Sequence, residues 1–158
     1  KELVDAADVI TPNLTETCML LGEECPPVMS VAQARSWLAR LSDKPGIVVI
    51  KGVPLIDDDG QKLSNVGFDR ESGSFWRIDW DHIPVHYPGT GDIFTSVLTA
   101  SLLKGESLPI ALNRATTFTE IAVKTTYSYG TEPRLGVLFE DCLSWLMTNT
   151  VLCDYRKL

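Results

Sequence analysis

The sequence predicts an α/β fold in which a mostly parallel sheet has flanking helices and a β-meander. Residues 47–50 are four β-branched residues without polar alternation, which is typical of a strand buried on both faces. Residues 63–69 and 74–80 alternate between apolar and polar side chains around a turn at 71–73, which is typical of paired strands. From residue 93 onward apolar residues recur at helical spacing, so the final third is predicted to be helical.

The first third of the chain predicts one strand and two helices before the β-branched run. Residues 8–11 predict a short strand, and residues 14–21 predict a helix closed by Gly22. Ser30 precedes apolar residues at helical spacing, so it is the expected N-cap of an amphipathic helix over 31–42. The predicted order is therefore strand, helix, helix, strand.

The part of the chain beyond the meander predicts one strand and three helices. Residues 83–87 predict the strand. Glycine and proline residues separate the helices, which are expected over 93–104, 108–126 and 136–148. No repeat or composition shift marks a boundary, so residues 1–158 are expected to form a single α/β unit.

The composition is that of an acidic globular chain. Its 158 residues include 14 Lys and Arg against 21 Asp and Glu, which gives a formal net charge of −7. Without a basic stripe, a nucleic-acid partner is not expected. The sequence has neither an apolar run of about 18 residues nor an apolar leader after Lys1. We therefore expect no membrane association and a cytoplasmic location.

The cysteines are not expected to form disulfides, and the histidines are not expected to bind zinc. The chain contains four cysteines, at Cys18, Cys25, Cys142 and Cys153. None forms a Cys-x-x-Cys pair, so free thiols in a reducing compartment are expected. His82 and His86 have the spacing of a helical zinc motif, but Pro84 prevents a helix between them, so zinc is not expected.

The segment most informative about chemistry is Gly-Thr-Gly-Asp at 89–92, directly before a predicted helix. Two glycines around one residue let the backbone amides turn inward, and the helix dipole favours an anion at the same place. Asp92 would then be placed to accept a proton from a hydroxyl that attacks a phosphoryl group. The alternative is a glycine turn in which Asp92 is only the N-cap.

A second segment, Thr-Pro-Asn-Leu-Thr-Glu at 11–16, follows the first predicted strand. Asn13 and Glu16 are three residues apart, so both oxygens lie on one helix face. Amide and carboxylate oxygens suit a hard cation such as Mg²⁺, often through water. The alternative is a capping pair, with Asn13 as N-cap and Glu16 at the third helical position.

Together these segments resemble the ribokinase-like superfamily over nearly the whole chain. Residues 7–16 resemble its strand and Asn-x-x-Glu motif, and residues 88–94 resemble its Gly-x-Gly-Asp signature. Thr90, residues 77–79 and residues 107–112 are most similar to bacterial pyridoxal/pyridoxamine kinases. The resemblance implies the C-terminal half of a three-layer fold with a central, mostly parallel sheet.

The resemblance also implies a reaction, namely ATP-dependent phosphorylation of the 5′-hydroxymethyl group of pyridoxal, pyridoxamine or pyridoxine. Asp92 would be the general base, and Asn13 and Glu16 would organise Mg²⁺ through water. The amides that would hold the charge developing on the phosphoryl group belong to Gly89, Thr90, Gly91 and Asp92.

Four further residues are expected to contact ATP. Lys51 and Gly52 follow the 47–50 strand, where ligands bind in open α/β sheets. The family often has Thr or Ser at this strand end, so Lys51 departs from the pattern, and a solvated lysine is the alternative. Tyr87 and Pro88 precede the glycine loop, where relatives form part of the adenine pocket. Core packing accounts for Tyr87 equally well.

The resemblance implies a partner for this chain, because such kinases are about twice as long. The missing half would precede Lys1 and would carry most of the vitamin-binding residues. We therefore expect completion by that N-terminal half, by a second chain, or by association into a homodimer. A hydroxymethylpyrimidine or sugar kinase on the same scaffold, and a non-catalytic nucleotide-binding module, remain open alternatives.

Overall fold

The computed structural model describes residues 2–81, 83–148 and 152–158. His82, one of the two histidines for which no zinc site is expected, lies outside these residues. The chain divides into two compact units, the first formed by Lys1–Asp79 with Tyr155–Leu158 and the second by Trp80–Asp154. No helix within the described part of the chain is long and apolar enough to cross a membrane.

The described residues of the first unit form a six-stranded mixed sheet. Strands β1 to β6 are Val9–Ile10, Met29–Ser30, Ile47–Asp57, Gly60–Asp69, Ser74–Trp80 and Arg156–Lys157. Both β1 and β2 pair with β3 in parallel, whereas β4 runs antiparallel to β3 and β6 antiparallel to β5. The fold is therefore α/β as predicted, but the meander makes the sheet mixed rather than mostly parallel.

The central strand β3 is longer than its β-branched run predicts. Val48, Val49 and Ile50 are fully buried, which confirms the expected burial on both faces. The strand then continues to Asp57 through a break in its register with β4. Because the continuation contains a lysine, a glycine and a proline, its sequence lacks the pattern of a strand.

Two of the helices pack on this sheet, and both were predicted from sequence. Helix α1 is Glu2–Asp5, α2 is Leu14–Leu21 and α3 is Val31–Leu41. The hydroxyl of Ser30 accepts a hydrogen bond from the Gln33 amide at 3.2 Å, so Ser30 is the N-cap as expected. Ala34 and Leu38 of α3 are fully buried in one apolar cluster with β3 and β4 residues.

The expectation of four free thiols is wrong, because Cys18 and Cys25 are joined in a disulfide. Gly22 ends α2 in the left-handed conformation, with φ of 69°. The chain therefore turns back toward the helix, and the two Cα atoms lie 5.6 Å apart. Cys142 and Cys153 are free.

Reduction of this disulfide is expected to lower the free energy of unfolding by about 2–3 kcal/mol, since the bond closes a short loop. Chemical denaturation of the chain with and without reductant measures the difference. Cys25→Ala should unfold like the reduced parent and should not respond to reductant, whereas Cys153→Ala should respond as the parent does. A parent whose unfolding midpoint ignores reductant would contradict the expectation.

The second unit is built on two long helices that pack against each other. Helix α4 is Thr90–Leu103 and α5 is Leu108–Tyr129. Both were predicted, although α4 begins three residues earlier than expected and α5 ends three residues later. Their buried faces include Phe94, Leu98 and Phe118.

Two predicted elements of the second unit are wrong. Residues 83–87 are not a strand, because Pro84 has no amide to donate and Val85 instead bonds the Ile83 carbonyl. Residues 136–148 do not form one helix. Gly136 has a φ of 81°, and the Leu138 amide donates to the Thr126 hydroxyl of α5 at 2.9 Å rather than along a helix.

Short turns, the first of them just before residue 136, form this region instead. They are two 3₁₀ turns, Pro133–Leu135 and Glu140–Cys142, and the single α-helical turn α6, Leu143–Leu146. Trp145 of α6 stacks on Phe118 with ring centroids 6.2 Å apart. The apolar residues that suggested a continuous helix therefore pack on α5 from separate turns.

Candidate active site

In the first unit, the carboxyl end of β1 and the middle of β3 bring four predicted site residues together, so Lys51 and Gly52 lie within β3 rather than after it as expected. The Lys51 amide donates to the Pro12 carbonyl at 2.9 Å, and Asn13 is the register partner of Lys51 in a parallel bridge. Paired strands lie about 4.8 Å apart, so Asn13 and Lys51 are direct neighbours. Glu16 and Gly52 are close to them along the chain.

Asn13 and Glu16 form a reciprocal capping box at the start of α2. The Asn13 side-chain oxygen accepts from the Glu16 amide at 2.8 Å, and Glu16 Oε2 accepts from the Asn13 amide at 2.7 Å. The capping interpretation left open by the sequence is therefore confirmed. Both residues are exposed, so a further role in organising a cation through water remains a prediction.

The same region of the sheet contains a residue that the sequence did not indicate. Asn65 lies on β4 opposite the irregularity in β3 and is 6% exposed. Its side-chain oxygen accepts a hydrogen bond from the Gly52 amide at 3.0 Å. No local pattern marks Asn65, because its importance depends on the bulge in the neighbouring strand.

In the second unit, the glycine loop opens helix α4. Gly89 is the N-cap and has a φ of 87°, a left-handed conformation that favours glycine. No side chain among the described residues caps this end. The first four amides of a helix have no partner within it, and here they belong to Gly89, Thr90, Gly91 and Asp92.

Asp92 lies in the first turn of α4, so the interpretation that it is the N-cap is wrong. Its side chain is exposed, and within the described part of the chain it makes no hydrogen bond or ion pair. The nearby hydroxyls bond to backbone carbonyls, Thr90 to Tyr87 at 3.2 Å and Ser96 to Asp92 at 2.8 Å. The Asp92 carboxylate is thus available to an incoming group.

Tyr87 and Pro88 differ in exposure. Tyr87 is 3% exposed, which favours its core-packing interpretation over a direct contact with an adenine ring. Pro88 is exposed, and its carbonyl oxygen lies 3.3 Å from the position that a Cβ at Gly136 would take. The loop before α4 is therefore packed against the C-terminal turns of the same unit.

A cavity of about 610 Å³ lies along α4, with Asp92 at one end. Its size is in the range of small-molecule sites. Phe118 and Phe139 line its apolar part, and Arg114 and Glu106 line its polar part. The hydrogen bonds from Arg114 lower the pKa of Glu106, so this carboxylate stays ionised and paired.

The chain is similar to known kinases in both sequence and structure. The model of the phosphomethylpyrimidine kinase family matches residues 1–135. The hydroxymethylpyrimidine/phosphomethylpyrimidine kinase of Haemophilus influenzae is 30% identical over 82% of this chain and 48% of its own length.

Solved structures show the same likeness. A Bacteroides thetaiotaomicron structure provisionally assigned as a phosphomethylpyrimidine kinase superposes with a TM-score of 0.92 at 39% identity, over 99% of this chain and 54% of that one. An orthorhombic form with pyridoxal gives 0.90 at 40% identity, over 99% and 55%. Pyridoxal kinase from Lactobacillus plantarum gives 0.74 at 28% identity, over 89% and 49%. The chain thus spans about half the length of these proteins.

Proposed function

The chain belongs to the phosphomethylpyrimidine kinase family, and we propose that it is the ATP-binding half of a vitamin B6 kinase. The reaction is transfer of the γ-phosphoryl group of ATP to the hydroxymethyl group of pyridoxal, pyridoxamine or pyridoxine. One observation carries the proposal, namely the exposed Asp92 carboxylate beside four uncapped amides at the start of α4.

The local chemistry of α4 suits this transfer. The Asp92 carboxylate accepts the hydroxyl proton as the acceptor oxygen forms its bond to phosphorus and the bond to ADP breaks. The amides at 89–92, with the helix dipole, stabilise the negative charge on the moving phosphoryl group. Phosphoryl transfer depends mainly on such positioning and charge stabilisation, so few other protein groups are needed.

The residues of the first unit suit Mg²⁺ and nucleotide phosphates. No three His, Cys, Asp or Glu side chains gather in a metal-binding cluster among the residues described. Asn13 and Glu16 would hold Mg²⁺ through water while phosphates supply other ligands, as is usual for this ion. When bound, Mg²⁺ neutralises phosphate charge. Lys51 and Gly52 would bind the nucleotide phosphates.

The choice of a B6 vitamer is supported by the Bacteroides thetaiotaomicron structure with pyridoxal, at 40% identity. A second acceptor, hydroxymethylpyrimidine, is favoured by the family match and by the name of the Haemophilus influenzae relative. Both acceptors present a hydroxymethyl group on a heteroaromatic ring, so Asp92 would act on either in the same way.

The proposed activity needs the other half of the relatives' fold, which would supply most of the acceptor pocket. Along α4, Asp92 is followed by an exposed stripe that includes Ser96, Ala100 and Leu103. Leu103 is 84% exposed, so its burial against the other half would be favourable. We place the other half against this stripe, on the same or a separate polypeptide.

The decisive experiment is ADP release by this chain completed with its own N-terminal half, because that half would supply most of the acceptor pocket. Pyridoxal, pyridoxamine, pyridoxine and hydroxymethylpyrimidine are compared as acceptors. Turnover on the B6 vitamers is expected. Preference for hydroxymethylpyrimidine would select the second acceptor. Binding of Mg²⁺-ATP by the chain without turnover on any acceptor would favour a non-catalytic nucleotide-binding module.

A further inference from the structure

We propose that Asn65 positions the Lys51–Gly52 bulge of β3, and with it the Lys51 ammonium group, for the phosphates of the nucleotide. This inference rests on the proposed function, because it concerns the same proposed phosphate-binding segment of β3. Asn65 itself does not need to touch the nucleotide. It acts through the backbone of the strand beside it.

The bulge is defined by the register of β3 and β4. Ile50 pairs with Val66, and Val53 pairs with Ser64. Two residues of β3 therefore lie opposite one residue of β4, and that one residue is Asn65. An extra residue of this kind leaves part of the ladder unpaired and redirects side chains, often beside active sites.

Asn65 replaces the ladder partner that Gly52 loses. The Gly52 amide donates to Asn65 Oδ1 at 3.0 Å. Gly52 has a φ of 66°, a left-handed conformation that favours glycine. No atom lies within 4 Å of a Cβ placed there, so the preference for glycine comes from this backbone conformation and not from a lack of space. The Gly52 amide is partly buried, where the lack of an acceptor is unfavourable, and the Asn65 side chain removes that cost.

Lys51 is therefore held from both sides. Toward β1, its amide donates to the Pro12 carbonyl at 2.9 Å and its register partner is Asn13. Toward β4, the next residue is fixed by Asn65. The side chain of Asn65 thus helps to place Lys51 beside Asn13, which starts the capping box with Glu16.

Ser64 offers a matched control on the same strand. It is fully buried, and its hydroxyl donates to Asp79 on β5 at 2.7 Å. Successive side chains of a strand point to opposite faces, so Ser64→Ala removes a buried hydrogen bond away from the bulge. Any loss of nucleotide affinity that merely follows lost stability should appear in both variants.

The test measures the Kd of this chain for Mg²⁺-ATP by calorimetry, in the parent, Asn65→Leu and Ser64→Ala. Leucine has the branched shape and the number of side-chain heavy atoms of asparagine but accepts no hydrogen bond. Asn65→Leu is expected to raise the Kd about tenfold, the effect of losing one charge-assisted contact. Ser64→Ala should stay within about twofold of the parent. Equal changes in the two variants would overturn the inference.

A Lys51→Met background separates positioning from general loosening of the sheet. If Asn65 acts through Lys51, Asn65→Leu should raise the Kd no further in that background. Independent, multiplying effects of the two substitutions would overturn the inference while leaving the proposed function intact. A parent chain that does not bind Mg²⁺-ATP would instead contradict nucleotide binding by this half, and this inference with it.

Amide hydrogen exchange supplies a readout that does not depend on nucleotide. The Gly52 amide should exchange at least about tenfold faster in Asn65→Leu than in the parent, because it loses its acceptor. In Ser64→Ala its exchange should match that of the parent after correction for global stability. Unchanged protection of Gly52 in Asn65→Leu would show that Asn65 does not hold the bulge and would overturn the inference.

Discussion

Replacing Asp92 by asparagine is expected to lower kcat about 10²–10⁴-fold in the chain joined to its complementary half, which is the usual contribution of a general base. Asparagine keeps the size and the polarity of the side chain but cannot accept the hydroxyl proton. The affinity for ATP should be retained, because the amides at 89–92 and Lys51 are unchanged. Steady-state rates with pyridoxal, and calorimetry with Mg²⁺-ATP, measure the two effects.

The Asp92→Asn substitution should have little effect on folding. A carboxylate in the first turn of a helix contributes only about 0.3–1 kcal/mol through the helix dipole. Glu132→Gln is a control with the same change of charge, since Glu132 is exposed and, among the residues described, its carboxylate pairs with the neighbouring Arg134. Its kcat should equal that of the parent. A loss of only a few-fold in Asp92→Asn would exclude Asp92 as the base.

The elements with complete local signals were predictable from the sequence. Helix α2 has its capping pair and its closing Gly22, and α5 has a proline in its first turn and Gly130 after its last residue. The buried run in β3 was equally clear. Such signals lie within a few residues of the elements that they define, so one sequence is enough to recognise them.

The features that depend on distant residues were not predictable. β6 pairs with β5 across a long stretch of sequence, with Arg77 opposite Arg156. The C-terminal turns pack along the surface of α5. Their apolar residues therefore have a spacing similar to that of a helix, although no continuous helix forms. The bulge at Gly52 needs Asn65 on the next strand. In each case the deciding partner is remote in sequence.

The candidate site shows the same division. The roles of Asn13 and Glu16 as a capping pair, and the exposed first turn that carries Asp92, follow from local sequence. That Lys51 is the register partner of Asn13 depends on pairing between β1 and β3. The sequence of one strand does not show which residue of a parallel neighbour lies beside it.

The meander contains a charged cluster centred on Arg77, which is 5% exposed. Arg77 pairs with Asp57 and with Asp79, the latter at 3.3 Å. Asp79 also accepts from Ser64 and lies 3.5 Å from Arg156 of the C-terminal strand β6. The cluster therefore links three strands of the meander to β6, and it neutralises a cation that would otherwise be buried alone.

Arg77→Met is therefore expected to lower the free energy of unfolding by about 3 kcal/mol, since breaking a buried pair leaves charge without a partner. Arg40→Met is the matched control, because Arg40 forms an exposed pair with Glu23 and such pairs contribute about 0–1 kcal/mol. Urea denaturation at neutral pH measures both. Equal losses in the two variants would contradict a special role for the cluster.

The effect of Arg77→Met should also depend on pH. The hydrogen bond from Arg77 lowers the pKa of Asp57 below its ordinary value of 3.8. A carboxylate whose pKa is lowered by folding stabilises the folded state above its unfolded pKa, and this contribution is lost as the pH falls through the folded pKa. The stability difference between parent and variant should therefore be constant from neutral pH to about pH 5, and should narrow below about pH 4. A difference that stays constant down to pH 3 would contradict a contribution of the Arg77–Asp57 ion pair to this stability.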